Sequence, residues 1–428
     1  MAKKPKSPAE LLKELRKKTG GVSFKESKWA VPDHYISTGD FAVNQMLTGS
    51  IFNGIPAGKV SVFAGESGSL KTVQVVRIAA NALNDMDYDL VYYFDSEGGA
   101  PAEMFDNFGC DLEKIEHILV ESTEDATVKM IQTLQTIYEI QKSDPNFRAF
   151  VILDSLGNLE NNKTFNDIEK DRLAADQGAG AKVKNKLCRA MTIPALKAHV
   201  PVCIINWVYE GPSMFTAKIL DQPGGKGSGF VGTLNVQCRK TLIKSEDTED
   251  GNYYDESTIT MFTVKNRLIT PYLSAQVHVS FTEGLNLYPY LSLFDSAIEF
   301  GFIDKITSQT FSVPSWVDVK RTETAAYIAK YQEENDGKNP TLKQRKEDLG
   351  YLEPDEVTFK KKALIGPDAK EVWDTFIYAY DKAAGDKLKY SKVTVDSIQE
   401  LGFSEEEAEA LMDVTLGEEV EVDENAEV

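Results

Sequence analysis

Apolar runs of five or six residues recur through the first half of the chain: 60–64, 90–95 (Leu-Val-Tyr-Tyr-Phe-Asp), 149–154 (Ala-Phe-Val-Ile-Leu-Asp) and 201–206 (Pro-Val-Cys-Ile-Ile-Asn). Runs this short and this apolar read as strands buried on both faces. Helical patterns near 72–84, 124–142 and 179–199 lie between them, with Pro194 expected to kink or split the last. Such alternation predicts an α/β fold, a mostly parallel twisted sheet with helices on both faces. Beyond 234 the pattern becomes hairpin-like, with strands expected at 234–243, 256–264 and 275–282. A mixed, mostly helical region follows from about 290 to 400.

The two ends differ from this body. Residues 2–18 are basic, and Ser7-Pro8-Ala9-Glu10 reads as a helix start, with Ser7 as N-cap and Glu10 closing a capping box. Leu11, Leu12 and Leu15 form an apolar stripe that so short a helix must pack elsewhere, on its own body or on another subunit. From Glu405 onward there is no lysine or arginine and many carboxylates, the pattern of a disordered acidic tail. The tail reads either as a tethered phosphate mimic that competes with a polyanionic ligand for basic residues, or as a solubilising or partner-docking segment. The organisation expected is therefore a basic arm over 1–33, a core over 34–290, a C-terminal region over 291–403 and the tail over 404–428.

Composition narrows the class. The chain has 428 residues, 42% of them hydrophobic, enough for two or three domains. No apolar run approaches the roughly 20 residues of a membrane span, and no signal-peptide stretch is visible. Cys110, Cys188, Cys203 and Cys238 are scattered and read as reduced core residues of a cytoplasmic protein. The four histidines are isolated, so no transition-metal site is expected. A net charge of −20 argues against crude attraction to polyanions without excluding a local basic face.

Chemistry concentrates where the first strand ends, in Gly65-Glu66-Ser67-Gly68-Ser69-Leu70-Lys71-Thr72. Strand, tight loop and helix form the setting of a phosphate-binding loop, in which backbone N–H groups point inward at phosphate oxygens. Lys71 is placed to reach β- and γ-phosphates and Thr72 to ligate magnesium, so ATP and Mg²⁺ are the expected cofactors. Leu70 departs from the pattern, standing where the second glycine belongs. Asp154 closes an apolar run as a Walker B acid would. Glu97 reads either as the carboxylate that deprotonates the attacking water or as a solvated loop residue. Asn206-Trp207 ends the strand where a γ-phosphate sensor would sit.

These motifs together resemble one known family. Ile36-Ser37-Thr38-Gly39-Asp40, then Gly54-Ile55-Pro56-Ala57-Gly58-Lys59-Val60, looks like the segment leading into the phosphate loop of RecA-type recombinases. Asp154-Ser155-Leu156-Gly157-Asn158-Leu159 and Ile205-Asn206, followed by Tyr209-Glu210 and Met214-Phe215, resemble the phage UvsX branch. The resemblance spans roughly 30–300. It implies a RecA-like P-loop ATPase core that forms helical filaments on single-stranded DNA and exchanges strands with a homologous duplex. A single-strand-binding protein and a recombination mediator are further implied partners. Asp154 would join Thr72 at the metal, and Glu97 would be the catalytic carboxylate. Lys265-Asn266-Arg267 would offer Lys265 and Arg267 to the γ-phosphate of a neighbouring subunit. Two DNA-binding loops are implied, about 158–178 with Arg172, and about 207–232 with Met214, Phe215, Lys218 and Lys226. Lys182 and Arg189 fall at positions resembling DNA-phosphate contacts. Trp207 replaces the family's glutamine or histidine sensor, and Met104 stands where an aromatic normally stacks on adenine. A ring-type helicase is the competing enzyme reading, and a nucleotide-gated structural filament the competing non-enzymatic one.

Overall fold

The computed structural model describes residues 7–169, 178–209, 220–224, 232–243, 256–280, 286–287, 289–350, 358–366 and 368–388. Arg172, Met214, Phe215, Lys218, Lys226 and the acidic tail lie outside the described residues.

The main sheet is built from β1 (Val60–Gly65), β2 (Leu90–Asp95), β3 (Ile115–Leu119), β4 (Ala149–Asp154), β5 (Val202–Asn206), β6 (Leu234–Ile243), β7 (Glu256–Asn266), β8 (Ser274–Ser280) and β9 (Asn286–Leu287). Its spatial order is β9-β8-β7-β6-β1-β5-β4-β2-β3. The six strands from β6 to β3 run parallel, and β7, β8 and β9 extend the sheet antiparallel.

The period of two sorts side chains to the two faces. Val91, Tyr93, Phe150, Ile152, Cys203 and Ile205 point to one cluster, covered by α3 (Lys71–Asp85). Phe94, Val151, Leu153, Val202 and Ile204 point to the other. There α5 (Thr123–Ser143) contributes Met130, Leu134 and Ile137, and α7 (Ala179–Lys197) contributes Leu187, Cys188 and Met191. The four cysteines are free and buried, and burial pushes each thiol above its ordinary pKa.

Two expectations meet a different outcome. Pro194 does not split its helix: it lies in the last turn of α7, where Ala198 N still donates to Pro194 O (3.0 Å). A proline there deletes one intrahelical bond close to the end, where the ladder is already closing. The first expected loop, about 158–178, is not all loop, because Asn162–Glu169 forms a helix, α6. The strand expected at 275–282 is present as Ser274–Ser280, and 281–282 lie outside the described residues.

The amino-terminal helix α1 (Pro8–Thr19) carries the capping box: Ser7 N donates to Glu10 Oε2 (2.8 Å) and Glu10 N to Ser7 Oγ (3.3 Å). Its leucines remain half exposed, at 53, 50 and 55% for Leu11, Leu12 and Leu15, so the stripe is not packed on the chain's own body. At the other end a third cluster gathers around Trp373, Phe376 and Tyr380. It docks on the core where Tyr380 Oη and Ser296 Oγ both donate to Gln45 Oε1, each at 2.7 Å.

Candidate nucleotide site and nucleic-acid face

The carboxyl ends of β1, β2, β4 and β5 surround a cavity of about 620 Å³, lined by Ser67, Gly68, Leu70, Lys71, Thr72, Glu97, Asp154, Ser155, Gly157, Asn206 and Trp207. An open α/β sheet places its ligands there. A second cleft, of about 760 Å³, lies at the other pole, with Lys28, Asp33, His34, Arg148 and His199 in its wall. It has no phosphate loop, and the first cavity is the candidate site.

The loop's shape follows from close approaches. A Cβ on Gly65 would collide with Cys238 O and Ser69 Oγ, so β1 can turn into the loop beside β6 only as glycine. Ser69 N and Oγ both donate to Glu66 O (3.2 and 2.8 Å). Lys71 Nζ donates to Gly65 O (2.9 Å) and Glu66 O (2.8 Å). Burial lowers the Lys71 pKa, against the pull of nearby Asp154 and Glu97.

Register brings the acids together. Asp95 pairs with Asp154 across β2 and β4, so two strand-end carboxylates stand side by side. Asp154 Oδ2 accepts from Thr72 Oγ1 and from Tyr93 Oη, both at 2.8 Å. Burial raises the Asp154 pKa, and those two hydrogen bonds oppose the rise. Burial, reinforced by the Asp154 charge, raises the Tyr93 hydroxyl far above its ordinary value, so it stays a donor. Asp95 Oδ1 accepts from the N–H of Glu97 (2.9 Å) and Gly98 (2.7 Å), and its Oδ2 meets His117 Nε2 at 3.1 Å. Ser155 Oγ donates to Glu97 Oε1 at 2.5 Å, while Ser96 Oγ accepts from Ser155 N (2.9 Å). Glu97 is therefore held at the cavity wall. The peptide between Asp154 and Ser155 is cis.

Thr72 and Asp154 supply hard oxygen donors beside the loop, which suits Mg²⁺ shared with phosphates. No cluster of three or more His, Cys, Asp or Glu side chains that could cage a metal exists among the described residues.

Lys265 and Arg267 are not at this cavity. Lys265 pairs with Asn235, and Arg267 N donates to Thr233 O (3.1 Å), near the start of β1. Thr233 precedes Cys238, the partner of Gly65, by five residues, or roughly 17 Å at ~3.3 Å per residue. Burial, with Arg267 adding repulsion, lowers the Lys265 pKa to about 8. Lys59 also feels the Arg267 charge, so a cationic patch occupies the pole opposite the phosphate loop.

The face expected to meet nucleic acid is partly described. Lys182 and Arg189 are exposed on α7. Lys186, also exposed, shares their face at the i, i+4, i+7 spacing and was legible from that spacing. Lys184 is buried instead, and its Nζ donates to Gly157 O (2.8 Å). The second loop is pinned at its base by mutual backbone hydrogen bonds between Tyr209 and Asp221 (2.9 and 3.0 Å). Asn206 Nδ2 reaches Pro223 O (3.1 Å), which links the cavity to that base. Trp207, 48% exposed, lies so close over Gly157 that no Cβ would fit there.

The RecA N-terminal domain model matches residues 9–286. This chain belongs to the RecA family. It is 27% identical over 263 residues to the recombination and repair protein of Enterobacteria phage T4, covering 61% of this chain and 63% of that protein. It is 23% identical over 279 residues to Protein RecA of Mesomycoplasma hyopneumoniae strain 7448, covering 65% and 77%. Against Protein RecA of Mycoplasma mobile it is 24% identical over 280 residues, covering 64% and 78%. The matched segment thus spans less than two thirds of the phage relative, and the family fold is the core described above. Among the described residues no helix is long and apolar enough to cross a membrane.

Leu70 shows what its place in this RecA-family loop demands. It is the N-cap of α3 at φ 57°, ψ 27°, a left-handed conformation costing about 1–2 kcal/mol for a side-chain-bearing residue. Its side chain packs in part on the core cluster. We expect Leu70→Gly to be more stable than Leu70→Ala by about 1 kcal/mol, reversing the usual order of the two residues in a helix. Urea denaturation of both variants checks this, and alanine equal to or better than glycine would show that the conformation is not strained.

Proposed function

We propose that this chain is an ATP-dependent DNA recombinase, forming filaments on single-stranded DNA and exchanging it with a homologous duplex. The supporting observation is a split site. Lys71, Thr72, Glu97 and Asp154 share one cavity, while Lys265 and Arg267 stand at the opposite pole. Copies stacked pole to pole would complete each cavity with a neighbour's cations.

In this reading Gly65, Glu66, Ser67, Gly68, Ser69 and Leu70 wrap the phosphates with backbone N–H groups, and Lys71 neutralises their charge. Thr72 and Asp154 hold magnesium, which when bound supplies charge neutralisation at the β- and γ-phosphates. Glu97, oriented by Ser155 and by the Asp95 cap on its N–H, takes the proton of the attacking water. Lys265 and Arg267 stabilise charge developing on the γ-phosphoryl group of the adjacent subunit. Lys182, Lys186 and Arg189 contact DNA phosphates. The exposed leucine stripe of α1 packs on a neighbouring subunit.

Electron microscopy on single-stranded DNA, with and without ATP, tests the assembly, and a strand-transfer assay with homologous duplex tests the reaction. Continuous ATP-dependent filaments and transferred strands are expected, and both should be lost with Lys71→Ala. Closed rings that unwind duplexes without pairing them would instead favour a helicase.

Glu97→Gln keeps shape and hydrogen bonding but removes the base. It should bind ATP and DNA normally while hydrolysing roughly 10²–10⁴-fold more slowly. Unchanged turnover in a phosphate-release assay would return Glu97 to a structural role.

Arg267→Ala should impair hydrolysis chiefly in assembled protein. Mixed with Lys71→Ala it should regain partial activity, because some interfaces pair an intact loop with an intact arginine. Absence of recovery at every mixing ratio would argue against a site shared between subunits.

A further inference from the structure

The hydroxyl of Tyr93 has no place in the phosphate-loop pattern, yet it makes one of the two hydrogen bonds received by Asp154 Oδ2. Tyr93 is 2% exposed, and its ring stacks edge-on against Phe105 at 5.3 Å. On its other side it meets His117, its register partner on β3, with ring centroids 6.0 Å apart. A phenylalanine would fill that space equally well, so packing alone does not call for the oxygen. The register puts Ile152 directly opposite Tyr93 and Asp154 two residues further along the same face of β4. That is the diagonal neighbour, which an aromatic side chain is long enough to reach.

The two donors converge on a single oxygen. Thr72 Oγ1 reaches Asp154 Oδ2 from α3, and Tyr93 Oη reaches it from β2, each at 2.8 Å. Two donors from two rigid elements fix both the position and the rotation of the carboxylate. They also concentrate on Oδ2, and no hydrogen bond to Oδ1 is formed among the described residues.

We propose that Tyr93 is a positioning residue for Asp154, locking the carboxylate by its Oδ2 so that Oδ1 is presented to magnesium or its water. The proposal rests on the nucleotide reading above and assigns Tyr93 no contact with substrate. A donor that orients a metal-binding group acts mainly on metal affinity, and its loss typically costs 10–100-fold. Thr72 would remain as the single tether, leaving the carboxylate free to swing about it.

The test separates magnesium from nucleotide. Binding of a slowly hydrolysed ATP analogue is measured by titration calorimetry with wild-type protein and Tyr93→Phe, first in EDTA and then across a Mg²⁺ series. Equal affinities in EDTA, and a Mg²⁺ midpoint about tenfold or more higher for Tyr93→Phe, are expected. Superimposed Mg²⁺ curves would overturn the proposal while leaving the nucleotide site intact. Equal loss of affinity in both conditions would mark a structural role and likewise overturn it. Failure of wild-type protein to bind the analogue at all would overturn the nucleotide reading itself. Should Tyr93→Phe not fold, 3-fluorotyrosine at position 93 keeps both ring and hydroxyl. Its ¹⁹F resonance should move when Mg²⁺ is added to the nucleotide complex, and an unmoved resonance would count against the proposal.

Discussion

The constraint on which this structure depends is the meeting of three carboxylates at adjacent strand ends. Parallel pairing of β2 with β4 sets Asp95 against Asp154, and Glu97 follows two residues later. Like charges so placed repel, the more strongly where water is scarce. The fold answers with a donor for each. Backbone N–H groups and His117 serve Asp95, Ser155 serves Glu97, and Thr72 and Tyr93 serve Asp154. Lys71, partly desolvated in the same cavity, supplies the countercharge. Everything else about the core can be read as scaffolding that holds these groups in register.

The scaffold is two-sided. Residues of one parity along each strand bury against α3, which launches from the phosphate loop, and residues of the other parity bury against α5 and α7. A one-residue slip between β2 and β4 would exchange those faces and carry Asp154 away from Thr72. The packing of Phe150 and Ile152 on one side, and of Val151 and Leu153 on the other, therefore also fixes the chemistry.

Much of this was legible in the chain itself. Apolar runs at 60–64, 90–95 and 149–154 read as buried strands because no charged residue interrupts them before the last position, and the loop from Gly65 to Thr72 follows from its setting. The support for the acids was not legible. Tyr93 and Ser155 act across strands, and a single sequence does not state which residues a register makes diagonal neighbours. Helix α6 was hidden because Asn162–Glu169 is mostly polar, with an apolar signal too sparse to separate from a loop. Pro194 misled because its effect depends on its distance from the helix end. Lys184 lies between Lys182 and Lys186 in sequence but about half a turn away on α7, so it is buried and its Nζ meets Gly157 O, a difference that the count of lysines does not show.

The separation of the cationic patch from the phosphate loop has an arithmetic consequence. Under the proposed sharing, contacts between copies are heterologous and the array stays open at its ends. A row of n protomers then closes n − 1 sites, and a lone protomer closes none. Turnover per chain would climb with row length toward a plateau, and a protomer at one end would always hold nucleotide without the means to spend it. Under that sharing such an end would be a stable cap of bound ATP, and a pool of single chains would keep its nucleotide until it is recruited.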